Sequence, residues 1–394
     1  MISEKNYELG SRSSIIREIF SFGQMRKAQV GADKVYDFSL GNPSIPAPDS
    51  VKRAILDLVE TQKEEIHAYT AAAGDMGVRD TIAQSLNRRF DEEFTAANIF
   101  MTCGAAASLN ICIHALANEG DEFIVFAPFF PEYRCWVEGV GAILRTVRPE
   151  APGFQIDFED FERQLSEKTK AVIVNSPNNP SGVVYSEETI TRLGDMLREK
   201  SREYGKPIYL ITDEPYREIV YDGCQVPFVT KYYRDTLVCY SYSKALSLPG
   251  ERIGYIAVPK RVQDYERLMP AVAGSARVLG FVCAPSLFQQ VVARCVEDTG
   301  DINAYKRNRD LLYQGLTRLG YTCIMPQGAF YLFVQAMEED AAAFCERAKK
   351  YDLLLVPSDD FGCPGYVRIA YCVAEETIVN AMPAFEKLAK EYGK

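Results

Sequence analysis

The feature that most constrains the fold is a set of short apolar runs that do not alternate with polar residues. They read "NIFMTC", "DEFIVF", "KAVIVN", "PIYLITD" and "TLVCYSYS". A strand with one wet face alternates. A strand buried on both faces is apolar throughout, and such strands belong to parallel sheets covered by helices. Helical stretches with their own start and stop signals lie between the runs: "SEETITRLGDMLREKSREYG" has Ser186 at the cap position and Gly205 at its far end. The fold class expected is α/β, a mostly parallel sheet covered by helices, over roughly residues 50–284. Beyond Pro285 the rhythm changes. A long helical stretch to Leu319 is followed by "YTCIMP", "GAFYLFV", the helix "DAAAFCERAKKY", "LLLVP", "YVRIAY" and a closing helix at 375–391. That order predicts a smaller α+β domain. The division expected is 1–45 for an N-terminal segment packing on the small domain or on a partner subunit, 46–284 for the large domain and 285–394 for the small one.

Composition narrows the function classes. The formal net charge is −10, which disfavours nucleic acid or an anionic membrane as a partner but leaves room for a small anion held by local cations. None of the 11 cysteines forms a C-x-x-C pair, and Cys103, Cys112, Cys239 and Cys283 lie in apolar runs. That usage fits reduced, mostly buried thiols in a cytoplasmic protein. His67 and His114 are the only histidines, too few for a histidine-rich metal site, and His114 fits a packing or capping role. The opening "MISEKNYELGSRSS" carries no hydrophobic signal core, and no apolar run is long enough to span a bilayer.

The unusual polar residues fall at one kind of place, the carboxyl ends of the expected parallel strands. Gly104 follows the first run, Phe129, Phe130 and Tyr133 the second, Asn175 and Asn179 the third, Asp213 and Tyr216 the fourth, and Ser241, Ser243 and Lys244 the fifth. In open α/β sheets that edge is where ligands bind. "GAAASLN" offers the backbone N–H groups of Ala105 and Ala106 at a helix start, a ready phosphate site, although the turn lacks an acidic or amide side chain. Ser241 and Ser243 add hydroxyls and Arg252 a forked cation. Phe130 can stack on a flat ring. A buried Asp213 stays ionised only beside a partner, and a protonated heteroaromatic nitrogen suits it. Asn179 and Tyr216 can hydrogen-bond a ring hydroxyl. A phosphate, an aromatic ring, a ring nitrogen facing an acid and a lysine nucleophile together describe pyridoxal phosphate, with Lys244 forming the Schiff base.

With these parts in order, the chain resembles the class I/II aminotransferases of the aspartate-aminotransferase-like, fold type I architecture. "SYSKALSLPGERIGY" is similar to the family's pattern around the Schiff-base lysine, "NNPSG" to its N-P-x-G and "DEPY" to its D-x-x-Y. The resemblance implies a pyridoxal-phosphate enzyme moving an amino group between an L-amino acid and a 2-oxo acid, with Lys244, Asp213 and Tyr216 as catalytic residues. It further implies Tyr69, in "HAYTAAAGDMGVRD", reaching a neighbouring subunit's phosphate in a homodimer with shared sites. Gly41 in "SLGNPS" and Arg368 in "YVRIAY" are implied at the substrate carboxylate, along with Asn179. Arg277 is a candidate for a second carboxylate of the substrate, supplied by the partner subunit. Two other readings share these residues. A C–S β-lyase uses the same scaffold. Ser241 and Lys244 also fit the S-x-x-K motif of penicillin-binding proteins, whose S-D-N and K-T-G companions are absent from the sequence.

Overall fold

The computed structural model describes residues 2–11, 15–61 and 64–394. Seven strands form the main sheet: β1 (Ile99–Thr102), β2 (Glu122–Phe126), β3 (Ile143–Val147), β4 (Thr169–Asn175), β5 (Tyr209–Asp213), β6 (Thr236–Ser241) and β7 (Gly254–Ala257). Their spatial order is β1-β7-β6-β5-β4-β2-β3. The pairings among β2 to β6 are parallel, while β7 runs antiparallel between β1 and β6. Two strands thus lie outside the apolar runs. β3 is an edge strand with Ile143 and Arg145 exposed and Leu144 and Val147 buried, and β7 is a four-residue insert in "RIGYIAVP".

The unbroken apolarity of the central strands has a direct cause. Phe123, Val125, Ile173 and Ile211 pack on one side with Leu109 and Ile113 of helix Ala105–Leu116. Their neighbours Ile124, Val172, Val174 and Leu210 pack on the other with Leu193 and Leu197 of helix Glu187–Glu203. Burying a side chain of this size contributes ~1.5–3 kcal/mol, so polar residues are confined to the strand ends. The Ser186 hydroxyl accepts the Thr189 N–H at 3.0 Å and starts that helix, and Gly205 follows its end with φ +65°.

The remainder departs from the sequence reading in two places, and a third run, to which the sequence gave no type, is resolved. The helical stretch expected up to Leu319 is two helices, Ser286–Arg294 and Ile302–Arg318. Asp301 caps the second, and a Cβ at Gly300 would meet Ile45 at 2.8 Å, so the chain turns there under residue 45. "YTCIMP" forms no strand and makes only a single bridge, Cys323 to Val334. The run ends at Pro326, which has no N–H to offer a ladder. "LLLVP" is split. Leu353–Leu354 pairs in parallel with Tyr36–Asp37, whereas Val356–Pro357, here β9, joins β8 (Tyr331–Gln335) and β10 (Tyr366–Ala370) in an antiparallel sheet of order β8-β10-β9. Helix Ile15–Val30 sets Ile19 in an apolar cluster with Leu354, Val356 and Phe361. Of the segment 1–45, Met1 and residues 12–14 lie outside the described residues.

One connection places the small sheet against the large one. Phe38 donates to Leu354 O and accepts from the Ala370 N–H at 2.9 Å. Residues 38–41 therefore run from the end of β10 toward the carboxyl edge of the main sheet.

Candidate active site

A cavity of about 320 Å³ opens at that edge. Gly41, Ala105, Ala106, Phe130, Asn179, Asp213, Tyr216, Ser241, Ser243, Lys244, Arg252 and Arg368 all line it. So do Asn175, which the sequence placed at a strand end without a specific contact, and Tyr331, an aromatic that the sequence left open between core and pocket. Ile16, Leu40 and Trp136 line it too and had no role assigned.

Asp213 is the last residue of β5. It is buried, as its neighbours on β4 and β6 require. Its Oδ2 accepts the Tyr133 hydroxyl at 2.6 Å, whereas Oδ1 is buried with no hydrogen-bond partner. Burial pushes this carboxyl up to about 7, against the pull of the Tyr133 hydrogen bond and with a further push from Glu214. A cationic N–H donor at Oδ1 would reverse that balance. Asn175, the last residue of β4, donates to Asp213 O at 2.9 Å and accepts the Asn179 N–H at 2.7 Å, which ties the two strand ends together.

The opposite wall is built for an anion. Gly104 caps helix Ala105–Leu116 with φ +87°, and a Cβ there would come within 2.7 Å of Arg252 Nη2. Only glycine gives both the backbone angle and the room. The Ser241 hydroxyl accepts the Ser243 N–H at 3.2 Å and shares a hydrogen bond with the Ser243 hydroxyl at 2.8 Å. Arg252, at φ +50°, donates to Ser243 Oγ at 3.3 Å and to Pro249 O at 3.0 Å. Gly104, behind the lining, therefore shapes the place for Arg252, and the cation, the two hydroxyls and the helix start face one space.

Lys244 stands between these walls. Its Nζ donates to Gly41 O at 2.7 Å and lies 5.4 Å from the centroid of the Phe330 ring. It makes no bond to Ser241, so the lysine does not stand as the base of an S-x-x-K serine. Burial pulls its ammonium down to about 8; Cys372 works against this, and the positive charges of Arg368 and Arg252 add to it. Arg368 is buried in the centre of β10, sandwiched between the rings of Tyr331 at 4.8 Å and Phe361 at 5.2 Å. It donates to Asn179 Oδ1 at 3.1 Å and to Ser39 O at 2.6 Å, while its Nε is buried without a partner. Tyr216 shares a 2.8 Å hydrogen bond with Tyr331. Burial raises its phenol well above the ordinary value, so it remains a neutral donor.

The chemistry of these donors fits pyridoxal phosphate. The unpartnered Oδ1 of Asp213 suits a ring N–H, the Arg252 wall suits a phosphate, Phe130 offers a ring face and Lys244 supplies the amine. Two expected residues lie elsewhere. Tyr69 is 96% exposed and lines a separate surface cavity with Met76. Arg277 is exposed on helix Tyr265–Leu279, outside the lining. Among the described residues, no cluster of His, Cys, Asp or Glu could hold a metal ion, and no helix is long and apolar enough to cross a membrane.

Comparison with known proteins bears on the whole chain. Residues 33–385 match the family model described as "Aminotransferase class I and II". The chain is 30% identical over 357 residues to the aspartate/prephenate aminotransferase of Thermus thermophilus, covering 88% of this chain and 89% of that protein. It is similar in structure to an amino transferase from Eubacterium rectale, at 57% identity with a TM-score of 0.98 over 100% of both chains. The aspartate aminotransferase of Thermotoga maritima superposes with a TM-score of 0.87 at 27% identity, over 98% of this chain and 99% of that one.

Proposed function

The chain belongs to the class I and II aminotransferases, pyridoxal-phosphate-dependent enzymes that move an amino group between an L-amino acid and a 2-oxo acid, and from that premise we propose how its own residues divide the work. When bound, the cofactor supplies an electron-accepting ring that stabilises negative charge at the substrate Cα. Lys244 holds it through Nζ. Asp213 keeps a proton on the ring nitrogen through Oδ1. Ser241, Ser243, Arg252 and the N–H groups of Ala105 and Ala106 hold the phosphate, and Gly104 leaves room for Arg252. Phe130 covers one ring face. Tyr216 and Asn179, whose Oδ1 is occupied by Arg368, direct a hydroxyl and an amide toward the ring hydroxyl.

Substrate handling falls to the other side of the cavity. Arg368 has an unused Nε and a forked head, which suits the α-carboxylate of an amino acid, with Gly41 and Asn179 beside it. Lys244 Nζ, once free, takes the proton from Cα. An amine near 8 is neutral in a useful fraction of molecules at neutral pH and still basic enough to accept that proton. One observation carries this division: a single cavity holds Lys244 together with two buried polar atoms that have no partner, Asp213 Oδ1 and Arg368 Nε. Borohydride treatment of the cofactor-loaded protein, followed by peptide mapping, is expected to fix the cofactor on the peptide carrying Lys244. Its appearance on another lysine overturns the assignment.

The active unit we infer is a homodimer in which Tyr69 of each chain completes the other's phosphate site. The support is an aromatic side chain with almost no cover beside an exposed Met76, on a segment tied down by Cys283 and Gln289. The names of several relatives point to aspartate as an amino donor. Among the described residues lining the cavity the cations are Lys244, Arg252 and Arg368, so a second carboxylate calls for Arg277 of the partner subunit. A panel of donors against acceptors tests this, with dicarboxylic donors expected to lead and Arg277→Ala to penalise them alone.

A further inference from the structure

We propose that Tyr133 is a positioning residue for the reaction: its hydroxyl fixes one carboxylate oxygen of Asp213 so that the other is held toward the cofactor's ring nitrogen. The inference rests on the role given to Asp213 above.

A carboxylate rotates unless one oxygen is anchored, and a buried one becomes neutral unless donors favour its charge. Asp213 Oδ2 has one short bond, from Tyr133 Oη at 2.6 Å. The Asn175 amide lies 3.5 Å from the same oxygen and makes its shorter bond to the Asp213 backbone carbonyl. Oδ1 receives nothing. The other ionisable neighbours of Asp213 are Glu214, Tyr216 and Cys239. Glu214 is taken up by Thr212 and Arg217, Tyr216 bonds Tyr331, and the Cys239 thiol lies 3.7 Å from Cys112. Tyr133 is therefore the donor that sets the carboxylate's direction.

The phenol is itself fixed. Tyr133 is 1% exposed. Its N–H donates to Phe130 O at 3.1 Å, and its ring meets those of Phe130 at 5.8 Å and Trp136 at 6.0 Å. Burial and the charge of Asp213 both hold the hydroxyl protonated, and its O–H donates to Oδ2. One turn of chain thus carries Phe130, for the face of the ring, and Tyr133, which acts on the ring nitrogen through Asp213.

Tyr133→Phe keeps the ring packing and removes only the oxygen. With ¹⁵N-labelled cofactor, the ring-nitrogen resonance of this variant is expected to move toward the unprotonated position, and cofactor affinity to fall about tenfold, as for one hydrogen bond to a charged group. In an Asp213→Asn background the same substitution should move the resonance no further. A wild-type ¹⁵N shift in Tyr133→Phe, with Asp213→Asn displaced, overturns the role of Tyr133 alone. A wild-type shift in Asp213→Asn overturns the reading of Asp213 beneath it. Circular dichroism and melting of Tyr133→Phe close to wild type are expected; a shift that appears only with lost structure also counts against the proposal.

Discussion

Asp213 and Arg368 are opposites built on different sheets. Asp213 ends a parallel strand of the large sheet, and its side chain receives a donated hydrogen bond. Arg368 sits in mid-strand of the antiparallel sheet, opposite Phe333 and Val356, and donates to a carbonyl and an amide oxygen. Each keeps one buried polar atom without a partner. The difference lies in what the protein has already settled. Burial leaves the charge of Asp213 dependent on what binds beside it. Arg368 already joins residues 39, 179 and 368 before any ligand arrives. In the proposed division of work the first acts in the chemistry and the second in binding, and Arg368 also holds Ser39 through its carbonyl.

Removing Lys244, the lysine that shares their cavity, has the largest effect. Lys244→Ala is expected to lower turnover by ~10⁴-fold or more, because attachment of the cofactor and proton transfer fail together. Visible absorbance of the loaded protein should change with it, and measurable full transamination by this variant refutes the role. Next comes Asp213→Asn, expected to lower kcat by ~10²–10³-fold, the scale of losing one electrostatic group in a closed site. The KM for the donor should move little. Arg368→Leu should behave the other way, raising the donor KM by ~10²-fold, as for one strong charged hydrogen bond, with a smaller change in kcat. Ser39 O and Asn179 Oδ1 lose their donor, which costs a further ~1–3 kcal/mol of stability. Equal losses in kcat and KM from the two variants would erase the contrast between them.

A pH profile sharpens the same contrast without mutation. Burial, aided by Arg368 and Arg252, lowers Lys244 to about 8. Below that value the amine carries a proton and cannot act as a base. The base-limited rate should therefore rise about tenfold per pH unit on the acid side and level off above 8. In Arg368→Leu one nearby positive charge is gone, so the midpoint should move upward. Amine labelling of Lys244 in the cofactor-free chain, followed against pH by mass spectrometry, reads the same midpoint; an unchanged midpoint in the variant removes Arg368 from the account.

The sequence made Asp213, Asn175, Ser241 and Lys244 conspicuous for a physical reason. Strands packed on both faces admit no polar residue until they end, so a polar group there stands out. The same rule hid β3, whose outer face is wet, and β7, which is short. Backbone partners had no signature at all: the Gly41 carbonyl at Lys244 and the Ser39 carbonyl at Arg368 arise from how 38–41 lies on the small sheet. Phe129, Phe130 and Tyr133 all follow one strand; the sequence offered Phe130 as a ring to stack and gave the other two no role. The turn at Pro131 separates them: Phe130 lines the cavity, Tyr133 reaches Asp213 Oδ2, and Phe129 packs beneath Gly362. Arg368 and Tyr69 stood out through family resemblance and not through pattern, since one lies inside a strand and the other on a loop.

Tyr69 gives the smallest expected effect and tests what one chain lacks. It lies outside the cavity lined by Asp213 and Arg368 and is almost fully exposed. A hydroxyl donating to a phosphate from another subunit contributes one hydrogen bond, so Tyr69→Phe should weaken cofactor affinity by only about threefold to tenfold. Mixing separates a shared site from a private one. When Lys244→Ala chains are refolded with an equal amount of Tyr69→Phe chains, random pairing makes about half the dimers hybrids. If Tyr69 acts across the interface, one site in each hybrid has both its own Lys244 and the partner's intact Tyr69, and the other has neither. If Tyr69 acts within its own chain, no site in the mixture has both. A fraction of active sites with wild-type cofactor affinity in the mixture supports the shared site. Active sites showing only the affinity of the Tyr69→Phe homodimer, in material that sedimentation confirms as dimeric, assign Tyr69 to its own chain and remove the support it lends to a shared site.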